Sequence, residues 1–368
     1  MKTKERLEVI DLLRGLSCLG VLLYHIRIDL WIGWWRITSY PQEYSTFAKA
    51  MAWLSVPTPF LGYAILLFFL ISGFCIHYPN TLLDSKPCWK TYFKKRFWRI
   101  YPSYLIAILL TSLISYFCHI KWGDNTWNLE RIFRTITVSQ NYPPENGQFL
   151  SNPSLWTIPL EIEFYVLYPL AFLILLKFGF LRLLFFSIFV SGIGLYLSKQ
   201  GMQWVSFTAI FLWPSWLLGA WISHLYKQNI LGRLKNFLIY TFLILFLVLA
   251  LTGRLKNWES WIQYVCWAGF YFFLFVAVLR SESLPRIKES VIFRTLAWLG
   301  KISFSLYLIH FPLFKLLGYL HLELVGEKPA NFLVSLMYLI PVIFLAWLFF
   351  KYVENPIHQW SKNRSLSQ

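Results

Sequence analysis

Three ionisable side chains lie in the first apolar segment of this sequence: Asp11, Arg14 and His25. On a helix, Arg14 and His25 share one face and lie about 16.5 Å apart along the axis. Arginine cannot lose its charge, and Asp11, one turn before it, can orient it. Ionisable groups at membrane depth predict a functional role. Here Arg14 would be a fixed cation that binds an anion, and the imidazole of His25 would be a general base. The structural alternatives are a membrane anchor and a core histidine.

A second basic cluster lies just before another apolar segment, in the run Lys94–Pro102. Arg96 and Arg99 are three residues apart, so they would share a helical face. Two guanidinium groups there would suit phosphate, which arginine binds bidentately. Pro102 suits the first turn of the helix that follows. Retention of basic residues on the cytoplasmic side explains the same charges, so both interpretations stay open at this point.

Two carboxylates open a further apolar segment, Glu161 and Glu163. They are 200° apart on a helix, so they cannot both face one pocket. Ser154 or Thr157 can cap this helix and Pro159 fits its first turn. One carboxylate can therefore do chemistry while the other meets water or headgroups. The structural alternative is that an acid is favoured near any helix N-terminus.

Two other segments combine small or polar residues with apolar ones. The run Phe68–Phe74 contains Ser72 and Gly73, small enough to let a helix or a ligand approach closely, or simply to pack. The run Gly300–His310 places a second histidine inside an apolar segment, with Tyr307 one turn before it. His310 is either functional or structural.

The composition of the chain indicates which kind of structural element positions these residues. The chain has 368 residues, of which 57% are hydrophobic and 14% charged, whereas a soluble domain carries about 25% charged residues. Apolar runs of about 20 residues are long enough to cross a bilayer. We therefore predict an all-α, polytopic membrane protein with about ten transmembrane helices. They are placed near 8–27, 60–78, 100–120, 157–177, 181–198, 206–226, 236–252, 259–280, 297–319 and 331–353.

The net charge of +17 is distributed between the apolar runs. One alternate set of connections holds 21 Lys and Arg residues and the other holds 10. Because basic residues are retained inside the cell, both termini are predicted to be cytoplasmic. The same pattern makes a nucleic-acid partner unnecessary, and we expect none.

Two long outer connections, 28–59 and 121–156, are rich in Trp and Tyr. Aromatic side chains at an interface form a membrane belt or a platform on which sugar rings stack. The five cysteines form no CxxC pair, so they do not indicate a disulfide framework.

Taken in order, these segments resemble the acyltransferase-3 family of bacterial membrane O-acyltransferases. The resemblance covers residues 8 to about 355, and the family's ten-helix architecture agrees with the helix count. The matching pieces are Arg14 with His25, Phe-Phe-x-x-Ser-Gly-Phe at 68–74, Arg-x-x-Arg-Ile-x-Pro at 96–102, Ser-Leu-Trp-Thr at 154–157 with Glu161, Phe164 and Tyr165, and the stretch ending at His310.

The resemblance implies transfer of an acyl group, usually acetyl from acetyl-CoA, from the cytoplasm to a hydroxyl of a cell-surface or lipid-linked glycan. His25 would be the base and Glu161 its orienter or an acceptor contact. The acyl-CoA phosphates would bind Arg14, Arg96 and Arg99. No metal is expected. Residues expected to support the site or the acceptor are Asp11, Ser72, Trp156, Tyr165, Tyr307 and His310.

The sequence departs from the family pattern in two places. Many members have two adjacent Glu residues where this chain has Glu161-Ile162, and many have Arg where it has Phe211–Pro214. Some members carry a fused esterase-like domain, which we do not expect here. We assign residues 1–355 to the transmembrane acyltransferase domain and 356–368 to a short cytoplasmic tail.

The expected location is the bacterial cytoplasmic membrane, with membrane lipid and a glycan or glycolipid as partners; homo-oligomerisation is left open. A secondary transporter or flippase for a lipid-linked glycan is the alternative function. It would share the helix number and the intramembrane charges. Internal repeats would favour it, and the sequence has none that we detect. A structural subunit of a glycan export machine is a third interpretation.

Overall fold

The fold is that of an all-helical, multi-pass membrane protein. A computed structural model describes residues 3–81, 87–143, 148–281 and 288–366, and these ranges contain no β-strand. Ten helical segments within them are long and apolar enough to cross a membrane. The prediction of an all-α membrane protein with about ten spans is therefore confirmed, while the orientation of the termini stays a prediction.

The ten main helices are numbered here in chain order, and shorter helices are named by their residues. They are α1 (Thr3–Asp29), α2 (Ile65–His77), α3 (Trp89–Trp122), α4 (Thr157–Phe178), α5 (Phe180–Lys199), α6 (Ala209–Lys227), α7 (Asn236–Leu255), α8 (Ser260–Arg280), α9 (Val291–Val325) and α10 (Leu339–Phe349).

The third helix begins earlier than predicted, because α3 already starts at Trp89. The basic cluster therefore lies on the helix itself, and Pro102 is an interior residue instead of a first-turn residue. The expectation for Pro102 was wrong. Lys and Arg are good helix formers, so the helix continues through the charged run, and the proline removes one backbone hydrogen bond.

The long connections and the C-terminal segment contain short helices that the apolar pattern did not predict. Trp34–Ser39 and Thr46–Ala52 lie in the first long connection, and Leu129–Ile136 lies in the second. Ser45 and Asn128 cap two of them by accepting a backbone N–H. The residues after Pro356, assigned as a tail, continue a helix over Asn355–Leu366, preceded by a π-helical turn, Phe350–Glu354.

The chain divides into two compact units. The first unit comprises Met1–Ser17, Tyr63–Tyr92 and Thr157–Lys301. The second unit comprises Cys18–Gly62, Phe93–Trp156 and Ile302–Gln368. The helices α1, α3 and α9 contribute residues to both.

Within the first unit, glycines allow helices to touch through their backbones. A Cβ at Gly73 would lie 2.0 Å from the Trp216 carbonyl oxygen, and one at Gly219 would lie 1.8 Å from that of Leu70. Both distances are far below a van der Waals contact, so α2 and α6 can approach this closely only because these positions are glycine. Gly73 is therefore a packing residue, and it brings its neighbour Ser72 close to α6.

Candidate functional site

The first unit contains a hydrogen-bonded carboxylate cluster built from three helices. Glu161 on α4 accepts hydrogen bonds from the hydroxyl of Ser72 on α2 and from that of Tyr165, the latter at 2.6 Å. The indole N–H of Trp216 on α6 donates to the Ser72 oxygen at 3.2 Å. Glu161, Ser72 and Tyr165 were all proposed as site residues, and the fold brings them together.

Glu163, two residues after Glu161, lies outside this cluster and caps a helix. Its carboxylate accepts a hydrogen bond of 2.6 Å from the backbone N–H of Ala209, the first residue of α6. A carboxylate at a helix N-terminus satisfies an otherwise unpaired donor and interacts favourably with the helix dipole. The two acids therefore face different surroundings, as their 200° separation predicted, but Glu163 caps a helix instead of meeting water or headgroups. The chemical role of Glu161 stays a prediction.

Arg14 lies in the first unit on α1. Its guanidinium is 3.6 Å from the Asp11 carboxylate and donates to the Cys75 sulfur at 3.5 Å. The side chain of Arg14 remains 31% exposed. Asp11 is thus placed to orient Arg14, as its spacing predicted, and the arginine keeps an accessible edge.

The second unit contains a contact between two imidazole rings. His25 Nδ1 on α1 lies 2.9 Å from His310 Nε2 on α9. The ring centroids are 5.1 Å apart and the planes are inclined by 24°, so the rings are nearly stacked. The sequence proposed both histidines, yet only the fold shows that they form a pair, because they are far apart along the chain.

Arg99 forms an ion pair that sequence reasoning missed. Its guanidinium lies 2.9 Å from Glu354, whose side chain is only 2% exposed, whereas that of Arg99 is 33% exposed. The other oxygen of Glu354 accepts from the backbone N–H and the hydroxyl of Ser305 on α9. Arg99 therefore has a structural partner on one side. Arg96 lies on the same helix, one turn before it.

Tyr307 and Asn141 hold the backbone of the segment that precedes α4, which includes Trp156. The Tyr307 hydroxyl donates to the Ser154 carbonyl oxygen. The Trp156 carbonyl accepts from the Asn141 side-chain amide at 2.7 Å. Asn152 binds the Leu308 carbonyl at 2.8 Å. Tyr307 and its neighbour Leu308 thus join α9 to this segment beside His310.

A further ion pair in the second unit was not predicted. The Lys315 ammonium on α9 lies 2.6 Å from Asp124, and the side chains are 10% and 2% exposed. Tyr319 donates to the same carboxylate oxygen at 3.0 Å, and the Thr126 backbone N–H donates to the other oxygen at 2.6 Å. Burial raises the pKa of Asp124, but the hydrogen bonds from Lys315 and Thr126 outweigh it, and the pKa lies below its ordinary value.

The signals for the missed residues differ. Lys315 is an ionisable residue inside an apolar run, so the rule that selected Arg14 could have selected it. Glu354 follows the last apolar run, so it carries no such signal. Trp216 is one of 19 tryptophans, so composition could not single it out.

The proposed residues divide between the two units. The first unit contains Asp11, Arg14, Ser72, Glu161 and Tyr165. The second contains His25, Arg96, Arg99, Trp156, Tyr307 and His310. The described residues contain no group of three or more His, Cys, Asp and Glu side chains arranged to hold a metal ion.

Relatives of this chain are acetyltransferases. The O-acetyltransferase OatA of Staphylococcus aureus (strain NCTC 8325 / PS 47) is 23% identical over 397 residues, covering 98% of this chain and 58% of that protein. The peptidoglycan O-acetyltransferase OatA of Listeria monocytogenes serovar 1/2a is 24% identical over 390 residues, covering 95% of this chain and 55% of that protein. The chain thus spans a little more than half the length of these two relatives.

No solved structure matches the chain. The profile of the acyltransferase-3 family, described as an acyltransferase domain, matches residues 7–351. That match covers nearly the whole sequence and both units of the fold. The chain therefore belongs to the acyltransferase-3 family.

Proposed function

We propose that this protein is an O-acetyltransferase of the bacterial cytoplasmic membrane. It takes the acetyl group of acetyl-CoA from the cytoplasm and delivers it to a hydroxyl of a cell-surface or lipid-linked glycan. The observation that carries the proposal is the His25–His310 pair within the apolar helices of an acyltransferase-family chain. The names of the two OatA relatives, O-acetyltransferases, support the same reaction, and that of the Listeria protein makes peptidoglycan the first acceptor to test.

The chemistry requires a base, because an unassisted hydroxyl is a weak nucleophile. In the proposed reaction His25 accepts the hydroxyl proton while the oxygen attacks the thioester carbonyl. The carbon–sulfur bond breaks, a carbon–oxygen ester bond forms, and the coenzyme A thiolate takes the proton from His25. The reaction leaves the net charge unchanged and requires no further reactant.

Three half-buried guanidinium groups are proposed to bind the donor. Arg14, Arg96 and Arg99 would hold the phosphates of coenzyme A, since arginine binds phosphate through paired N–H donors. The partial exposure of Arg14 and Arg99 supports this assignment. Glu161, with its hydroxyl partners Ser72 and Tyr165, is proposed to orient or contact the acceptor.

The direct test uses purified protein in lipid nanodiscs with acetyl-CoA labelled in the acetyl group. Label should appear in peptidoglycan fragments or lipid-linked glycan as an alkali-labile ester, and a His25→Ala protein should not produce it. Release of coenzyme A without acceptor labelling would indicate that the glycan supplied in the assay is not the acceptor of this enzyme. Binding of glycan without any acetyl transfer would instead favour the transporter or flippase.

The proposed direction of transfer depends on the orientation of the helices. We expect a reporter inserted near residue 130 to read as outside the cytoplasm and one fused after residue 368 to read as inside, because the Lys and Arg residues are distributed 21 to 10 between the two sets of connections. A cytoplasmic reading from the insertion near residue 130 would reverse the topology and the side from which each substrate arrives.

A further inference from the structure

The contacts of His310 determine which of its ring nitrogens carries a proton. His310 Nδ1 lies 2.9 Å from the Tyr307 carbonyl oxygen and 3.1 Å from that of Leu306. A carbonyl oxygen only accepts hydrogen bonds, so His310 Nδ1 must be an N–H donor. These acceptors belong to the backbone of α9, one turn earlier, and no substitution of their side chains removes them.

The other nitrogen of His310 then acts as an acceptor. His310 is fully buried, with 0% exposure, and its described contacts include no carboxylate. A charged imidazolium there would be an uncompensated buried cation, which is costly. The neutral ring with Nδ1–H has its lone pair on Nε2.

The hydrogen bond between the two rings also determines which nitrogen of His25 carries a proton. His310 Nε2 accepts, so His25 Nδ1, at 2.9 Å, must donate. A neutral His25 that carries its proton on Nδ1 has its lone pair on Nε2. The hydrogen bond made by one ring nitrogen thus decides the state of the other.

We propose that His310 is a positioning residue that holds His25 in the Nδ1–H tautomer, leaving His25 Nε2 as the basic nitrogen that takes the acceptor proton. This inference rests on the proposed acyl transfer and names the atom that performs its proton step. The difference in burial agrees with the division of roles: His310 is closed off from solvent, whereas His25 is half-buried. Of the two rings, that of His25 is the more accessible.

Neighbouring aromatic rings keep the His25 ring in this orientation. The Tyr24 and Phe311 rings meet it edge to face, with centroids 5.1 Å and 5.3 Å away. Phe314 packs against His310 in the same manner at 5.8 Å. Such ring contacts limit rotation of both imidazoles, so the Nδ1-to-Nε2 hydrogen bond does not have to hold the geometry alone.

The pair also accommodates the proton during the reaction. When His25 Nε2 takes the proton from the attacking hydroxyl, the ring becomes an imidazolium, and its Nδ1–H still donates to His310 Nε2. That hydrogen bond becomes charge-assisted and therefore stronger. Transfer of the Nε2 proton to the departing thiolate returns both rings to their starting state.

Two substitutions at position 310 separate positioning from packing. In His310→Gln, the amide oxygen reaches about as far as Nε2 and can accept from His25, whereas His310→Leu keeps bulk and offers no acceptor. We expect His310→Leu to lower kcat roughly 10²–10⁴-fold, the range of a lost or misoriented base, with KM for acetyl-CoA unchanged. His310→Gln should recover most of this loss. His321→Ala, a control for another α9 histidine, which bonds the Tyr338 hydroxyl at 2.7 Å, should leave kcat unaltered.

Nitrogen NMR of protein labelled in its seven histidine rings measures the tautomer without reference to activity. His25, assigned by its disappearance in a His25→Gln protein, should show a protonated Nδ1 and an unprotonated Nε2. His310→Leu should shift it toward the Nε2–H form, which predominates in a free side chain.

A protonated His25 Nε2 in the unaltered protein would overturn the inference, and so would a folded His310→Leu protein with normal kcat. If His310→Leu fails to fold, the unaltered protein's spectrum and the kcat of His310→Gln decide. Absence of acyl transfer from the unaltered protein would refute the proposed function alone, because the nitrogen shifts would still report the tautomer.

Discussion

The carboxylate cluster of the first unit and the imidazole pair of the second differ in what satisfies their hydrogen bonds. Each places a polar group among apolar helices, where an unsatisfied group is costly. Glu161 is satisfied by side chains from neighbouring positions and helices, Ser72 and Tyr165, with Trp216 behind Ser72. His310 is satisfied largely by backbone carbonyls of its own helix.

The difference predicts how each site responds to mutation. A cluster assembled from side chains should lose function in steps, as each donor is removed. A pair held by the backbone should respond little to the loss of other polar side chains, since the described hydrogen bonds of its ring nitrogens run only between the two imidazoles and to backbone carbonyls. The following predictions test that contrast, from the largest expected effect to the smallest.

The largest effect is expected for His25→Ala. Loss of a positioned general base should lower the acyl-transfer rate about 10²–10⁴-fold. Coenzyme A binding, measured by calorimetry, should survive, because no phosphate contact is assigned to the imidazole. A His25→Ala protein that binds donor and acetylates at a near-normal rate would refute His25 as the base and make His310 the next candidate to examine.

A comparable effect, on stability instead of rate, is expected for Asp124→Asn. The substitution leaves the Lys315 ammonium, which is 10% exposed, without its anionic partner, and breaking a buried ion pair costs about 3–5 kcal/mol. An equilibrium unfolding titration in sodium dodecyl sulfate would measure the change. Lys121→Gln, which breaks a pair whose side chains are 39% and 44% exposed, is the matched control and should change stability little.

The same carboxyl gives a pH dependence with a defined sign. The pKa of Asp124 in the fold is lower than the ordinary value of 3.8, so its contribution to stability is present above pH 3.8 and is lost as the pH falls through the lower folded pKa. Asp124→Asn should remove that component of acid sensitivity. An unchanged acid-unfolding profile would show that the ion pair does not contribute to it.

An intermediate effect is expected in the carboxylate cluster. Glu161→Gln keeps the shape but weakens two charge-assisted hydrogen bonds, each of which is worth about 1.5–3 kcal/mol, so transfer should fall at least about 10²-fold. Ser72→Ala and Tyr165→Phe should each cost less, and their double variant more. Glu163→Gln, altered at the α6 cap, is the control and should change stability more than rate. Equal losses in all single variants would contradict a stepwise response.

The smallest effects are expected for the phosphate-binding arginines. Arg96→Ala should weaken coenzyme A binding by about 1.5–3 kcal/mol, and Lys should restore only part of it because it lacks the bidentate fork. Arg99→Ala also leaves Glu354 without its cation, so its stability should fall as well. Combining Arg99→Ala with Glu354→Gln separates these effects: stability should recover while donor affinity does not. Unchanged affinity in both arginine variants would leave them a purely topological role.

What could be predicted from the sequence concerns single helices. Apolar runs of sufficient length indicated ten spans, and hydrophobicity alone determines that signal. Spacing along one helix placed Asp11 beside Arg14 and separated Glu161 from Glu163, and the structure bears out both. The start of α3 was missed because charged residues do not interrupt a helix, although they interrupt an apolar run.

The sequence by itself determined the membrane class, the number of spans, the face each polar residue takes on its own helix, and the resemblance that named the family. The tertiary structure alone decided the partners: His310 for His25, Trp216 for Ser72, Glu354 for Arg99 and Lys315 for Asp124. The physical reason is that helical periodicity fixes the direction of a side chain about its own axis. Which helix lies in that direction depends on backbone contacts such as those at Gly73 and Gly219, whose partners are distant along the chain.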